Sequence, residues 1–450
     1  MIGKTKLFKK LEAILANSPA DATEIVYIGE EAGLTRYANS MIHQNVYEDN
    51  RRIIFRAVVG KRIGVASTNS LVDADLKKAL LDAIEIAKAQ RENRHFPGLP
   101  KPAKYRKLNS FDKATAQCSP MKRAQIVKRV INEATKKGLT MAGALATSGS
   151  EIAVLNSNGL RGYHPTSSAS INMIAMSETS SGYASVMARR VADIDAVALA
   201  KVAVEKCLKS RNPISLEPGD YEVILEPAAI SEMFEWLNFI GFGSKGFQQG
   251  TSFLANRIGR KLTSEKVTIF DSAYERGVVG VPFDFEGVPR KKVMLIDKGV
   301  AKGVVWDRLS AVKGKTKSTG HALTASDSAE GAISLNLSMA GGKVPRAKMI
   351  SAVKRGILVT RFHYINGYID TRNSVLTGMT RDGTFLIENG EIVAGIKNLR
   401  FTDSFLRAFK STIAVSKETE LMSSWWSSVG CISVPTVHLG SFKFSGKTDF

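Results

Sequence analysis

An α+β fold in two domains is what this 450-residue sequence predicts: an N-terminal domain made from a repeated strand-and-helix unit, then a strand-rich, barrel-like C-terminal domain. Length is the first reason, since one hydrophobic core rarely organises so long a chain and domains run to about 150 residues. The second is an internal repeat, in which Gly64-Val65-Ala66-Ser67 is matched by Gly182-Tyr183-Ala184-Ser185, 118 positions later. The third is a break from Asn212-Pro213 to Pro218-Gly219, which sets the domains at 1–212 and 219–450. Hydrophobic residues make up 44% and charged residues 23%, an ordinary globular balance that supplies enough apolar surface for both cores.

The first eighteen residues carry apolar positions at helical spacing among Lys9, Lys10 and Glu12, where a signal peptide needs an unbroken apolar run, so they read as a first helix. In each copy of the repeat a strand-like run, Ile53–Val59 or Ile171–Met176, precedes the tetrapeptide, and acidic residues then open a helix. These helices start at Asp73-Ala74-Asp75, reaching about Glu92, and at Asp193-Ile194-Asp195, reaching about Lys209. Leu76, Leu80, Ile84 and Ala87 in one, and Val197, Val202 and Cys207 in the other, give each a face to lay on a sheet. Between the copies, Ser119-Pro120 starts a helix to about Lys137, because Ser caps the free N–H groups and Pro fits the first turn.

Beyond the break a strand, Tyr221–Leu225, comes at once, then a helix from Pro227 to about Phe239. Met294–Ile296 with Lys298-Gly299, and Phe385–Ile387 with Asn389-Gly390 and Ile392-Val393, read as tight hairpins whose Gly accepts positive φ. A further helix is expected over Lys348–Gly356, and Trp425-Trp426 reads either as core or as a dimer anchor.

The charge balance of 63 Lys and Arg against 42 acids, net +21, gives a field that attracts anionic partners. From Lys101 to Lys137 there are 11 basic residues against Asp112 and Glu133, but only Tyr105 and Phe111 interleave aromatically, which argues against a single-strand nucleic-acid binder. No apolar run approaches the roughly 18 residues that span a bilayer. Cys118, Cys207 and Cys431 form no pairing pattern, which fits a reducing cytoplasm.

The six histidines are never closer than 42 residues, so no single helix can present two of them to a metal; a set from distant elements, such as Cys431, His438 and His321, is the remaining option. Gly241 to Gly246 fits GxGxxG, yet it follows a helix instead of joining strand to helix, so a flexible loop is expected and a dinucleotide site is not. Asp284 and Glu286 alternate as an acid–base pair could, but Pro282, Gly287 and Pro289 equally describe a turn that bonds its own backbone.

Several runs resemble the TldD/PmbA family: Thr251–Leu254 through Ile258-Gly259, Val267–Ile269, Pro282–Asp284 with Glu286–Pro289, and Ser318-Thr319-Gly320. Leu376 through Gly390 and Leu399-Arg400-Phe401 are similar to its PmbA (TldE) branch. The resemblance implies a protein of a kind first named as a modulator of DNA gyrase and later understood as part of a two-subunit peptidase of unfolded peptides. It also implies that the zinc-bearing subunit carries an HExxxH helix, whose Glu is the general base. The matching helix here reads Glu235-Trp236-Leu237-Asn238-Phe239-Ile240, without either histidine or the glutamate, and His321 stands where the family usually has Asn. The expectation is therefore a noncatalytic subunit with no catalytic residue, metal ligand or cofactor of its own. Its partner would be a zinc-bearing paralogue or a second copy of itself, and its ligand an unfolded peptide added to a sheet edge. Candidate substrate-binding residues are Asp284, Glu286, Ser318, Thr319, Gly320 and His321. Two alternatives stay open: a standalone hydrolase using His321, Asp284 and Glu286, and a regulator of nucleic acid or of a DNA-associated enzyme.

Overall fold

The N-terminal half forms one antiparallel sheet built twice over the same pattern. The structure, a computed structural model, describes residues 1–425 and 429–448; Trp426 lies outside them. Helix α1 (Lys4–Ala16) leads into β1 (Ala22–Ala38), β2 (Met41–Val59), β3 (Arg62–Thr68) and α2 (Asp73–Ala89). After the short α3 (Lys113–Ala116) and α4 (Pro120–Thr135), the pattern recurs as β4 (Thr140–Asn156), β5 (Arg161–Met176), β6 (Ser181–Ala188) and α5 (Ala196–Lys209). The strand order β3-β2-β1-β4-β5-β6 puts the two copies back to back, with β1 on β4 at the centre. The repeated glycines have a packing cause: a Cβ on Gly64 would lie 2.0 Å from the Ala83 carbonyl oxygen, and one on Gly182 would lie 2.2 Å from that of Ala203. Each helix rests directly on strand backbone there, which only Gly allows. Ser119 caps α4 by accepting from the Lys122 N–H, and Asp195 caps α5 by accepting from that of Ala198.

Side-chain alternation divides the sheet's faces. Ile25, Tyr27, Ile53 and Phe55 pack beneath α1 and α2 with Leu11, Leu76 and Leu80. Their neighbours Val26, Ile54, Ile152 and Val154 point the other way, onto Val281, Phe283, Leu323 and Leu335 of the C-terminal half.

That half begins with β7 (Gly219–Leu225) and α6 (Pro227–Leu237), which runs into a π-helical turn at Asn238–Phe242 and then α7 (Ser244–Gln249). It continues through β8 (Ile269–Asp271), β9 (Val293–Asp297), β10 (Val300–Ala301), α8 (Arg308–Lys313), β11 (Leu337–Met339), β12 (Arg355–Asp370) and β13 (Val375–Glu388). The remaining elements are β14 (Glu391–Gly395), β15 (Leu399–Ser404), α9 (Phe405–Lys410), β16 (Thr412–Met422) and β17 (Ile432–Lys447). Strands β7, β12, β13, β15 and β17 pair in a ring, closed by β17 against β7, so the barrel expected from the sequence is present. Rings pack together in its core: Phe362 lies 4.5 Å from Phe401 and 5.7 Å from Phe442 between centroids. Both hairpins have the expected turn, with Lys298-Gly299 at φ 46° and 80° and Asn389-Gly390 at φ 50° and 83°.

Two expectations are corrected. Lys348–Gly356 is not an α-helix: short 3-10 turns at Arg346–Lys348 and Ile350–Ala352 lead into β12 at Arg355. Met349 and Val353 are drawn down onto Phe385 and Ile387, and a Cβ on Gly356 would sit 2.6 Å from the Glu222 carbonyl oxygen. Bonding to the β13 end, from Gly390 and Asn389 to Val353 and Lys354 and by strand pairing from Arg355, thus overrides the local helical pattern. The Gly241–Gly246 run is not a loop either, since it forms the π turn and the start of α7, with Gly241 pressed against the Phe253 ring.

Candidate functional site

The six residues singled out from the sequence lie along one buried seam between the sheets. Asp284 forms a turn on itself: its Oδ1 accepts from the backbone N–H of Glu286 at 3.0 Å and of Val288 at 2.8 Å, and its Oδ2 from Ala322 at 2.9 Å. Burial and the neighbouring Glu286 carboxylate raise its pKa, against the pull of those three donors. Glu286 reaches across to β2, accepting from Arg56 at 3.0 Å, and Arg56 also lies 3.4 Å from Glu24 of β1. This chain of buried charges ties the first sheet to the second. Burial pushes the Glu24 carboxyl up to about 7, although Arg56 opposes the shift.

His321 follows Gly320, whose φ of 77° and approach to the Pro289 carbonyl oxygen exclude a side chain. Its Nε2 lies 2.8 Å from Asp271 Oδ1, and its Nδ1 lies 2.9 Å from the Thr319 hydroxyl. Arg290 donates to the same Asp271 oxygen at 2.6 Å and to Asn336 Oδ1 at 2.7 Å, while the Asn336 N–H donates to Asp271 Oδ2 at 2.8 Å. Burial works against the Asp271 charge, but Arg290 and His321 hold its carboxyl well below the usual range. Burial also lowers the pKa of His321 below its ordinary value. The side chains of Asp271, Arg290 and His321 have no exposure, and the Ser318 and Thr319 hydroxyls are both bonded to the Trp306 carbonyl. His321, Asp284 and Glu286 therefore share a neighbourhood without opening on a cleft, and only Ser318 and Thr319 of the six are half-buried. Asp271, Arg290, Arg56 and Glu24 complete the network and were missed from the sequence, because nothing local marks a charge whose partner lies on another segment, 19 residues away for Arg290 and Asp271 and 230 for Arg56 and Glu286.

An open cleft lies elsewhere, over α6. About 350 Å³ in volume, it is lined by Ser231, Glu232, Glu235 and Trp236 of α6, His363, Tyr364 and Ile365 of β12, and Ser423 and Trp425. Glu235 Oε1 accepts from the Trp425 N–H at 2.8 Å, and burial pushes the carboxyl up to about 7. Burial also pushes Glu232 up to about 7, opposed by Arg361 and assisted by Asp382. Tyr364, at the lip, has φ 52° in a register break of β12, a strained conformation for a residue with a side chain. These are the positions where the resemblance places the zinc helix. A carboxylate, an indole and an isoleucine at Glu235, Trp236 and Ile240 do not fit a zinc donor set. Among the described residues no group of three or more His, Cys, Asp or Glu side chains could hold a metal, and His438 is engaged by Glu222 at 2.6 Å, apart from Cys431. No helix among the described residues is long and apolar enough to cross a membrane.

Comparison with known proteins gives this geometry a lineage. The PmbA/TldA metallopeptidase C-terminal domain matches residues 218–446, its domain 1 matches 23–87 and its central domain 68–211. A metalloprotease TldD homologue of Buchnera aphidicola is 30% identical over 231 residues, which is 50% of this chain and 44% of that protein. The chain thus spans about half the length of the curated relatives it matches. Among solved structures, TldE of Thermococcus kodakarensis superposes with a TM-score of 0.89 at 23% identity, over 97% of this chain and 100% of the other. A Thermotoga maritima protein described as a candidate modulator of a DNA gyrase superposes at 0.86 with 17% identity, over 98% and 100% of the two chains. At these identities the superpositions speak for the fold alone, while the family models cover nearly the whole length: the chain belongs to the PmbA/TldA metallopeptidase family.

Proposed function

We propose that this chain is a noncatalytic subunit of a peptide-processing metalloprotease assembly, pairing with a zinc-bearing relative or with a second copy of itself. One observation carries the reading: the helix expected to bear the metal presents Glu235, Trp236 and Ile240 in place of two histidines and a glutamate. Without those ligands no bound water can be activated at that helix, and the chain's contribution becomes shape, peptide contact and assembly. An unfolded peptide needs only main-chain donors and acceptors from a sheet edge, for which β14, paired among the named strands with β13 alone, is the candidate in the C-terminal half. In this reading Ser318 and Thr319, the half-buried members of the six, are the two nearest solvent, and Asp284, Glu286, Gly320 and His321 hold the buried seam behind them.

The reading carries with it a division of labour at residues 212–219, supported by the separate sheets on either side. It also carries a cytoplasmic location, with which three free, buried thiols agree. The test is metal analysis and peptidase assay of the isolated chain, together with mass spectrometry of what co-purifies from its own host. Little zinc, no cleavage and a near-equimolar relative with the His-Glu helix are expected. Stoichiometric zinc with peptide cleavage by the isolated chain would refute the proposal.

A further inference from the structure

We infer that the cleft over α6 is a subsite for a protonated amine of a bound peptide, held between the carboxylates of Glu232 and Glu235 and the rings of Trp236 and Trp425. The inference rests on the peptide-subunit reading and adds the chemistry of the ligand. Its first support is an uncompensated buried acid. Glu235 is only 6% exposed yet lines the cleft; the Trp425 N–H that bonds it is a neutral donor, and no cation pairs with it among the described residues. Glu232, on the same face of α6, has Arg361 no nearer than 4.0 Å. That guanidinium is already taken up by Asp382 and by the Tyr183 ring, 4.5 Å from its centroid. Burying a carboxylate without a cation is unfavourable, so an arriving ammonium would offset that penalty at Glu235, and it would give the half-buried Glu232 a closer cation than Arg361.

The second support is the wall. Trp236 and Trp425 meet edge to face at 5.5 Å between centroids, and Tyr368 meets Trp236 at 5.5 Å in the same way. Trp425 is 57% exposed and Tyr368 60%, so these rings stand open instead of filling a core. Aromatic faces attract ammonium groups, most strongly where carboxylates already draw the cation in. A volume near 350 Å³ suits one extended side chain or a chain terminus, not a folded domain.

A lysine side chain and a free peptide N-terminus present the same group, and calorimetry on the full chain separates them. Four versions of one extended peptide are compared: N-acetylated with a single lysine, N-acetylated with norleucine, N-acetylated with acetyl-lysine, and free-amine with norleucine. The expected result is affinity about tenfold or more greater for an amine-bearing peptide than for its neutral counterparts. The lysine and N-terminal arms then identify the source. In E232Q/E235Q the preference should vanish while binding of neutral peptides and thermal stability hold, since the side-chain amide oxygen introduced at position 235 can still accept from the Trp425 N–H. Equal affinities, or a preference that survives the double substitution, would overturn the inference. So would loss of the preference once the zinc-bearing relative is bound, which would assign the cleft to a partner lysine. A chain that co-purifies with that relative but binds none of the peptides overturns the subsite and leaves the subunit reading standing. A zinc-loaded chain that cleaves peptides alone overturns the subunit reading instead.

Discussion

Replacing Arg290 by Met removes one half of a fully buried ion pair while nearly preserving volume. The guanidinium donates to Asp271 at 2.6 Å and to Asn336 at 2.7 Å, and neither charged side chain has any exposure. Because methionine fills most of the same space, the loss is electrostatic: Asp271 keeps only His321 and the Asn336 N–H. Removing one partner of a buried pair costs about 3–5 kcal/mol, and the two surviving donors put R290M at the lower end, ~3 kcal/mol. The penalty also depends on pH. Burial and Arg290 both depress the pKa of His321, so in the wild type the unfolded chain takes up the imidazole proton first and acid weakens the fold. Once Arg290 is gone the imidazole can protonate beside Asp271 and replace the missing cation, so R290M should lose more at about pH 8 than at about pH 5.5. Urea unfolding followed by tryptophan fluorescence is the assay, since Trp236, Trp306, Trp425 and Trp426 all lie in the second half of the chain. A loss below about 1 kcal/mol, or the same loss at both pH values, would refute the account of the seam.

Gly64→Ala and Gly182→Ala each drive a methyl group into helix backbone that cannot yield, so each should destabilise the first sheet by roughly 1–3 kcal/mol, read as a lowered midpoint by circular dichroism. Glu24 has a folded pKa near 7, raised by burial from its ordinary value of 4.5, so its contribution is fully present only below that ordinary value and is lost as pH rises to about 7. E24Q should accordingly gain on the wild type between about pH 5 and pH 8, by ~3 kcal/mol at most, and a gain running the other way would remove the burial explanation. Phe442→Ala opens a cavity against Phe362 and Phe401; a destabilisation of about 3–5 kcal/mol is expected, with a measured loss under about 1 kcal/mol speaking against a packed interior.

What could be read from the sequence was local in cause. Ser119-Pro120 and Asp195 start helices because their side chains meet N–H groups three residues on. Lys298-Gly299 and Asn389-Gly390 turn because both residues accept positive φ. The repeat was legible because two helices need the same bare glycine beneath them. What escaped was set by distant partners: the charge chain Glu24–Arg56–Glu286 joins β1, β2 and the Asp284 turn, and no spacing rule connects them. Lys348–Gly356 misled for the same reason, since its local pattern favours helix while β13 and the turn that ends it hold the segment from Val353 onward. The cleft over α6 was half visible. Glu235, Trp236 and Trp425 each stood out, but their meeting with His363 and Tyr364 depends on how β12 bends at its register break.

The ring closed by β17 bears on how the molecule is made. In that closing pair Val437 meets Leu225, about 210 residues earlier, whereas β12, β13 and β15 meet through short connections. Closing so long a loop is entropically slow, so the meander should assemble first and wait with an open edge. On the ribosome β7 emerges long before its last neighbour exists, and its unpaired backbone is exposed in the interval. Yield in a recombinant host should therefore depend more on chaperone supply and temperature during synthesis than on the stability of the finished fold.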